Sequence, residues 1–218
     1  MAKNKQFLVA GLGMFGSAVA IAFSEMGYNI LGVDADENVV QDLSDKLTNI
    51  VCADASDERT LKAMALDDID VAVVAIGNLE KNLLCTMLLK QIGIKTVVAK
   101  ALNELHGRML EKIGADKVIF AEKDMGVRLA HNLVSDSIVD YIELSDDINV
   151  VSVTIQERYV GLSLQESDLR KKYNVNVIAI RRNGKSIINP RADEVFAKGD
   201  QIVTIGTPDN IKFFGDNF

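Results

Sequence analysis

The sequence is poor in several features that mark common classes of protein. It has two cysteines, Cys52 and Cys85, in 218 residues, and its first residues lack the apolar stretch of a secretory signal. Both cysteines lie in apolar runs, so we predict that they are reduced core residues of a cytosolic protein. No stretch reaches the roughly 18 apolar residues of a membrane-spanning helix, so a membrane connection is expected only through a partner.

Basic residues are also in the minority. The chain has 24 lysines and arginines against 31 aspartates and glutamates, which gives a net charge of −7, and no basic stripe is visible. Nucleic-acid binding usually requires a cationic surface. The composition therefore predicts no nucleic-acid partner and argues against a redox-sensing repressor.

Side chains typical of catalysis are scarce as well. The two histidines, His106 and His131, fall in predicted helices without cysteine or carboxylate at metal-ligand spacing. The sequence has no Tyr-x-x-x-Lys pair and suggests no Ser-His-Asp set, and residues 140–218 contain neither histidine nor cysteine. These absences argue against an enzyme, and an NAD-dependent oxidoreductase is kept as the alternative hypothesis.

The most informative pattern present is a glycine-rich turn. An apolar strand runs into Gly11-x-Gly13-x-x-Gly16, an apolar helix pattern follows, and Asp34 ends the next apolar run. This is the dinucleotide-binding fingerprint in its expected context. The first glycine permits the turn, the second lets a phosphate approach the backbone, and the third packs the helix on the strand. The helix N-terminus favours an anion, and Asp34 would bind ribose hydroxyls and disfavour a 2′-phosphate. The alternative is a glycine-rich turn that binds nothing.

Residues 1–120 alternate predicted strands and helices. The strands are continuous apolar runs, as in a parallel sheet buried on both faces, and the alternation implies right-handed βαβ units in a doubly wound sheet. The predicted strands are 6–10, 29–33, 48–52, 70–76, 95–99 and 117–120, and the predicted helices are 14–26, 36–46, 57–65, 79–92, 103–113 and 123–137.

The last of these helices has an apolar stripe of its own. The stripe consists of Met125, Leu129, Leu133 and Val134, with Ile138 beyond it. Helical spacing of this kind predicts packing against the sheet. Docking on a second subunit is the alternative.

A different pattern begins near residue 140. A polar, acidic segment, 143–149, precedes a region in which Asn183-Gly184 is a strong hairpin signal. The predicted strands there are 150–155, 176–181, 185–188 and 200–205, and the predicted helices are 163–172 and 208–214. This region is predicted to form a small α+β module rich in antiparallel pairing.

Several polar or small residues follow the predicted parallel strands. They are Asp54, Gly77, Asn78, Lys100 and Glu122. The ligand crevice of a doubly wound sheet lies outside the carboxyl ends of its strands. There Asp54 could accept from an adenine amino group, Gly77 would let the backbone approach a ligand, and Lys100 could contact phosphate or pair with an acid. Each alone is more typical of a helix cap or a surface charge, but as a set at one rim they indicate a binding site.

Several segments together resemble a known family. They are Gly-Leu-Gly-x-Phe-Gly, the aspartates Asp34 and Asp54, Val74-Ala-Ile-Gly77, Leu110-Glu-Lys-Ile-Gly-Ala-Asp116 and Glu122-Lys-Asp-Met-Gly126. Over essentially the whole chain they are similar to the RCK (KTN) regulatory subunits of Ktr/Trk-type potassium transport. The last two segments are the most particular, because the glycine motif is shared with many dehydrogenases.

The resemblance implies a Rossmann-type RCK-N domain over 1–138, with a crossover helix at 123–137, and an RCK-C domain over 139–218. It implies a cytosolic gating-ring subunit that is not an enzyme and attaches to the inner face of the cell membrane through a potassium channel or transporter. Such subunits dimerise through the N-domain and the crossover helix and form octameric rings. Exchange of ATP, ADP or NAD(H) changes the shape of the ring.

The resemblance also implies binding residues in the N-domain. Gly11, Gly13 and Gly16 hold phosphates, Asp34 holds ribose and Asp54 faces adenine. Glu122 matches an acid that helps to bind a cation (Mg²⁺, Ca²⁺ or Na⁺) at the dimer interface. The remaining expected nucleotide contacts are Leu12, Met14, Phe15, Ala35, Ala55, Ile76, Gly77, Asn78 and Lys100.

The C-domain of some members binds cyclic di-AMP between two subunits. The residues that resemble that site are Ile178, Ile188, Asn189 and Pro190, with Arg181 or Arg182 nearby. An Asn-Pro turn that closes a strand is the alternative.

Met14 departs from the family pattern, because close relatives often carry arginine there. A guanidinium would reach terminal phosphates bidentately, and methionine cannot. We therefore expect weaker discrimination of ATP from ADP in this chain. NAD(H), ADP or AMP, or a charge supplied by a partner subunit, are the open alternatives.

Overall fold

The computed structural model of the chain describes residues 5–134 and 138–218. The chain divides into two compact units, with the division between Glu122 and Lys123. The domain boundary expected near residue 138 stays a prediction. No helix in the two described ranges is long and apolar enough to cross a membrane.

The first unit contains a six-stranded sheet in the order β3-β2-β1-β4-β5-β6. All of its strand pairs are parallel, so the predicted doubly wound sheet is confirmed. The strands are β1 (Gln6–Ala10), β2 (Asn29–Asp34), β3 (Ile50–Cys52), β4 (Val71–Val74), β5 (Thr96–Lys100) and β6 (Lys117–Ile119). The helices are α1 (Met14–Glu25), α2 (Glu37–Leu43), α3 (Glu58–Ala63), α4 (Leu79–Ile92) and α5 (Glu104–Lys112), with a short 3₁₀ turn at Leu66–Asp68.

The core lies on both faces of this sheet. Along β1, Leu8 and Ala10 belong to one buried cluster, and Phe7 and Val9 belong to another. Successive side chains of a strand point to opposite faces, so an uninterrupted apolar run fills both layers at once. This explains why the parallel strands are continuously apolar in the sequence.

Four helices of the first unit begin at a side-chain cap. Asp36, Asp57, Asn78 and Asn103 each accept a hydrogen bond from a backbone N–H of the first turn that follows. Such caps satisfy N–H groups that have no partner within the helix. Helix α1 begins differently, at Gly13, and no side-chain cap is present there among the described residues.

The second unit contains a five-stranded sheet in the order β10-β9-β11-β8-β7, with antiparallel pairs throughout. Its strands are β7 (Ile138–Ser145), β8 (Ile148–Thr154), β9 (Asn176–Arg182), β10 (Lys185–Ile188) and β11 (Gln201–Gly206). Its helices are α7 (Leu164–Ser167), α8 (Leu169–Tyr173) and α9 (Pro208–Asn217), with a 3₁₀ turn at Glu157–Tyr159. Helix α6 (Ala121–Val134) runs from the end of the first unit into the second.

Two elements of the second unit differ from the sequence prediction. The polar segment expected at 143–149 contains the end of a strand, β7, which pairs with β8. The helix expected over 163–172 is two short helices, because Asp168 adopts a left-handed conformation with φ of 55° between them and interrupts the helical hydrogen bonds.

The crossover helix also differs from its expected bounds. It begins at Ala121 and is described to Val134, and residues 135–137 lie outside the described residues. Met125, Leu129 and Leu133 are 58%, 55% and 75% exposed. The prediction that this stripe packs against the sheet is therefore wrong for these three residues in the single chain.

Cys52 is not a core residue. It is exposed, whereas Cys85 is buried. Strand β3 is short and lies at the edge of the sheet, so neighbouring strands do not cover it on both sides. Burial raises the pKa of the Cys85 thiol to about 12, which is typical of an inert structural cysteine.

Candidate functional site

The glycine-rich turn joins β1 to α1, and two of its glycines are needed for the turn itself. Gly11 has φ of 88°, and a Cβ there would stand 2.8 Å from the backbone nitrogen of Ile76. A Cβ on Gly16 would overlap the carbonyl oxygen of Gly11. Both positions therefore require glycine, because the turn packs closely against α1 and against the residues that follow β4.

Gly13 differs from the other two. Its φ is −60°, which any residue can adopt, and no described atom beyond its immediate chain neighbours lies within 4 Å of where its Cβ would stand. Packing within the unit thus does not explain the second glycine of the motif. The open side of Gly13 is the side from which a ligand would approach the backbone.

The N-terminus of α1 is suited to an anion. The first turn of the helix has no acidic residue, and unpaired N–H groups with the positive end of the helix dipole favour a phosphate. Phe15 is half-buried, and Met14 is 94% exposed. The turn therefore presents backbone donors and an apolar side chain, and Met14 brings no positive charge to them.

Asp34 orders this turn from the end of β2. One carboxylate oxygen accepts a hydrogen bond from the N–H of Leu12 at 2.6 Å, and the other accepts from the N–H of Asp36 at 2.9 Å. Leu12 is itself buried in the core, so its side chain holds the turn against the sheet. Asp34, the residue predicted to bind ribose, is thus held beside the predicted phosphate site.

Asp54 follows β3 and is held by two neighbours. Lys81 donates from Nζ to one carboxylate oxygen at 2.6 Å, and Ser56 donates to the other from its hydroxyl at 2.6 Å and its N–H at 2.9 Å. The hydrogen bond from Lys81, followed by those from Ser56, lowers the pKa of Asp54 to about 2. Asp54 is therefore a carboxylate at neutral pH.

These residues border one cleft at the carboxyl ends of the parallel strands, with a volume of about 80 Å³. The predicted site residues that line it are Gly11, Asp34, Ala35, Asp54, Ala55 and Ile76. Val33, Ala53 and Lys81 also line it and were not expected from the sequence. The sequence signal for Lys81 was its place near the start of the helix predicted from residue 79, shortly after the predicted end of a strand at Ile76.

The other predicted residues of the rim have partners of their own. Asn78 caps α4, which confirms the alternative interpretation of this residue as a helix cap. Lys100 is buried and donates from Nζ to Glu122 at 2.7 Å, and this bond is the main cause of the lowered pKa of Glu122. Asn82, which sequence reasoning missed, donates to the carbonyl oxygens of Ile76 and Lys100 and so links the ends of β4 and β5.

No group of three or more histidine, cysteine, aspartate or glutamate side chains in the described ranges could hold a metal ion. Glu122 would therefore need ligands from a nucleotide or from another subunit in order to bind a cation.

The residues expected to bind cyclic di-AMP lie together in the second unit. The N–H of Asn189 donates to the carbonyl oxygen of Ile178 at 3.0 Å, and Ile188 pairs with Ala179 across the β9–β10 hairpin. Ile188 is 66% exposed. Arg182 is not free, because it pairs with Asp200 and Glu194.

Comparison with known families agrees with both halves of this architecture. Residues 7–121 match the TrkA-N domain, and residues 134–218 match the TrkA-C domain. The chain belongs to the Ktr/Trk (RCK) family. The resemblance inferred from its motifs is confirmed.

Two curated members of the Ktr/Trk family illustrate the match. The chain is 38% identical to Ktr system potassium uptake protein C of Bacillus subtilis, over 97% of this chain and 96% of that protein. It is 31% identical to Ktr system potassium uptake protein A of Vibrio alginolyticus, over 95% of each chain.

Solved structures show the same fold. The GsuK RCK domain superposes with a TM-score of 0.55 at 21% identity, over 98% of this chain and 46% of that one. The GsuK channel bound to NAD superposes with a TM-score of 0.54 at 22% identity, over 98% of this chain and 38% of that one. The chain thus spans less than half of the GsuK chains, and at these identities the match concerns the fold alone.

Proposed function

We propose that this chain is a cytosolic, nucleotide-sensing regulatory subunit of a membrane potassium uptake system. The observation that carries the proposal is the glycine turn ordered by Asp34 at an uncapped helix N-terminus. This turn lies in a chain that matches a Ktr potassium uptake protein over nearly its whole length. The proposal assigns the chain no catalytic residue.

The proposed ligand is an adenine nucleotide, either ATP or ADP or the dinucleotide NAD(H). Phosphates lie against the N-terminus of α1 at Gly13, ribose hydroxyls donate to Asp34, and the base enters the cleft beside Asp54. The GsuK structures bound to NAD and to ADP support this ligand class. Asp34 would repel a 2′-phosphate, so an NADP-type ligand is disfavoured.

The proposed regulation is a shift between two arrangements of an oligomer. A ligand moves such an equilibrium only if it binds one arrangement more tightly than the other. The exposed stripe of α6, at Met125, Leu129 and Leu133, supports a homodimer contact. A homo-octameric ring at the inner face of the membrane, attached through a channel or transporter subunit, is part of the proposal.

Two further ligands are part of the proposal. Glu122 would share a cation (Mg²⁺, Ca²⁺ or Na⁺) with the nucleotide phosphates at the dimer interface. Its side chain is 68% exposed, and Lys100 contacts it at Oε1. Cyclic di-AMP would bind between two C-domains at Ile178, Ile188, Asn189 and Pro190, which the hairpin brings together.

Identification of the small molecules that the protein carries is the direct test. One sample of the purified protein is heat-denatured, and the released molecules are identified by mass spectrometry. A second, ligand-free sample is titrated with AMP, ADP, ATP, NAD⁺ and NADH, and its Tm is measured. We expect at least one of these to raise the Tm and to be recovered unchanged. No shift with any of them would overturn the proposal, and turnover of NADH with a substrate would favour the oxidoreductase.

A further inference from the structure

An ion pair spans the cleft beside Asp34. The Nζ atom of Lys81 lies 2.6 Å from a carboxylate oxygen of Asp54. The pair joins the loop after β3 to the first turn of α4, and both residues line the cleft. The two sides of the predicted base pocket are therefore tied together by a side-chain contact.

The cleft is small for a nucleoside. Its volume is about 80 Å³, whereas pockets that hold small molecules usually measure about 300–1,000 Å³. Most of its walls are backbone or short side chains of the turn and the sheet, such as Gly11, Val33 and Ala53. Lys81 is different, because its side chain is 46% exposed and has a flexible four-carbon stem.

The two oxygens of Asp54 are not equivalent as acceptors. Oδ1 accepts two hydrogen bonds, from the N–H and the hydroxyl of Ser56. Oδ2 accepts from Lys81 alone among the described residues. A carboxylate oxygen offers about two lone-pair positions, so Oδ1 is saturated by Ser56 and an incoming donor can reach Asp54 only at Oδ2. The cleft is narrow and Lys81 lines it, so a base that approaches Oδ2 meets the side chain of Lys81.

We propose that Lys81 gates the adenine pocket: the base enters when Lys81 leaves Asp54 Oδ2, and the exocyclic amino group of adenine then donates to that oxygen. This proposal rests on the proposed function and adds a specificity-determining residue to it. Lys81 competes with the amino group of adenine for Oδ2. A base that presents an acceptor at that place can receive a hydrogen bond from Nζ and leaves the ion pair intact.

The decisive variant is Lys81→Met, which keeps an unbranched side chain only one atom shorter and removes its charge. An exposed ion pair contributes little, up to about 1 kcal/mol. Loss of the competing pair should therefore lower the Kd of AMP and of NAD⁺ about two- to fivefold, measured by calorimetric titration. Lys81→Arg, which keeps both charge and hydrogen bond, should bind no more tightly than the wild type.

Lys95→Met is the matched control for charge. Lys95 is 82% exposed and lies 3.8 Å from Asp70. Both residues precede their strands, at the opposite end of the sheet from the cleft. This variant removes the same charge from the same unit and should leave the Kd unchanged. The Tm of each variant without nucleotide checks that the fold is retained.

IMP is the matched control for the base, because hypoxanthine has an oxygen where adenine has its amino group. Lys81→Met should tighten AMP binding and leave IMP binding unchanged or weaker. The gate is excluded if Lys81→Met binds AMP no more tightly than the wild type, and an equal gain for IMP excludes the contact between the amino group and Asp54. A wild-type protein that binds no nucleotide overturns the proposed function and the gate together, so the two failures are distinguishable.

Discussion

At the scale of single residues, the three glycines of the turn have different physical roles. Gly11 and Gly16 are required by contacts within the protein, whereas the side of Gly13 faces open space. A glycine that internal packing does not require is expected at a ligand site, because the absence of a side chain lets the ligand contact the backbone. This contrast supports a phosphate contact at Gly13.

Replacement of Gly13 by valine therefore tests the phosphate contact. Gly13→Val should abolish the Tm shift produced by nucleotide, because the new side chain stands where the phosphate would lie. It should lower the free energy of unfolding, measured by urea denaturation, by only about 1 kcal/mol, because valine is a poorer N-cap of α1 than glycine. Gly16→Val is the matched control and should be strongly destabilised, since its side chain meets the backbone of Gly11. Normal nucleotide binding by Gly13→Val would contradict the assignment.

Met14 provides a second test at this scale. We expect wild-type protein to bind ATP and ADP with similar affinity, because its exposed methionine offers no charge to a third phosphate. Met14→Arg should raise the preference for ATP about tenfold, through charge-assisted hydrogen bonds to the terminal phosphates. Calorimetric titration of both proteins with ATP and ADP measures this ratio. A strong ATP preference in the wild type would show that another group supplies the charge.

At the scale of secondary-structure elements, helix α6 has an apolar stripe that the described chain leaves exposed. Met125→Asp should reduce the oligomer to a smaller species in multi-angle light scattering, because a carboxylate would be buried at the proposed dimer contact without a partner. Met26→Asp is the matched control, since Met26 at the end of α1 is also 58% exposed. Equal masses for the wild type and Met125→Asp would exclude this stripe as the contact.

Strand β9 and the turn before β11 are joined by a buried carboxylate. Burial by itself would raise the pKa of Asp200, but hydrogen bonds from Arg182 and from the N–H of Ala197 outweigh it and leave the pKa below its usual range. The folded state therefore binds the proton of Asp200 less tightly than the unfolded state does. The stabilisation from this group is present above the unfolded pKa of about 3.9 and is lost as the pH falls through the folded value.

Asp200→Asn should accordingly destabilise the protein at neutral pH by about 1.5–3 kcal/mol, because Arg182 loses its charged acceptor. Urea denaturation between about pH 6 and pH 3 measures this effect. The difference in the free energy of unfolding between the wild type and the variant should become smaller at the acidic end of that range. A difference that stays constant with pH would mean that the carboxylate charge of Asp200 does not stabilise the fold.

At the scale of the whole molecule, the proposed function depends on how copies of the chain respond to a ligand. Nucleotide exchange should change the radius of gyration of the oligomer, measured by small-angle X-ray scattering with ADP, ATP and NADH in turn. Ligands that bind both arrangements equally will not change it. Binding without any change in radius or mass, for every ligand that raises the Tm, would contradict a shape-switching subunit.

Much of the fold and part of the site can be predicted from this sequence. The turn of Gly11, Gly13 and Gly16 and the position of Asp34 are local patterns, and the parallel strands are apolar because both faces of their sheet are buried. Cys52 was misassigned because an apolar run does not show whether its strand lies at an edge. Strand β7 was missed because the acidic segment 143–149, which resembles a linker, overlaps its end.

By itself, the sequence determined the class of fold, the family and the place of the proposed nucleotide site, because turn chemistry and hydrophobic periodicity operate between residues that are close in the chain. Only the tertiary structure decided that Lys81 holds Asp54, that Lys100 holds Glu122 and that the stripe of α6 is exposed. These features depend on which strand and helix ends become neighbours, and their partners lie far apart in the chain. Side-chain pairs of this kind leave no periodic signal in the sequence, yet one of them, Lys81 with Asp54, places two opposite charges in the cleft.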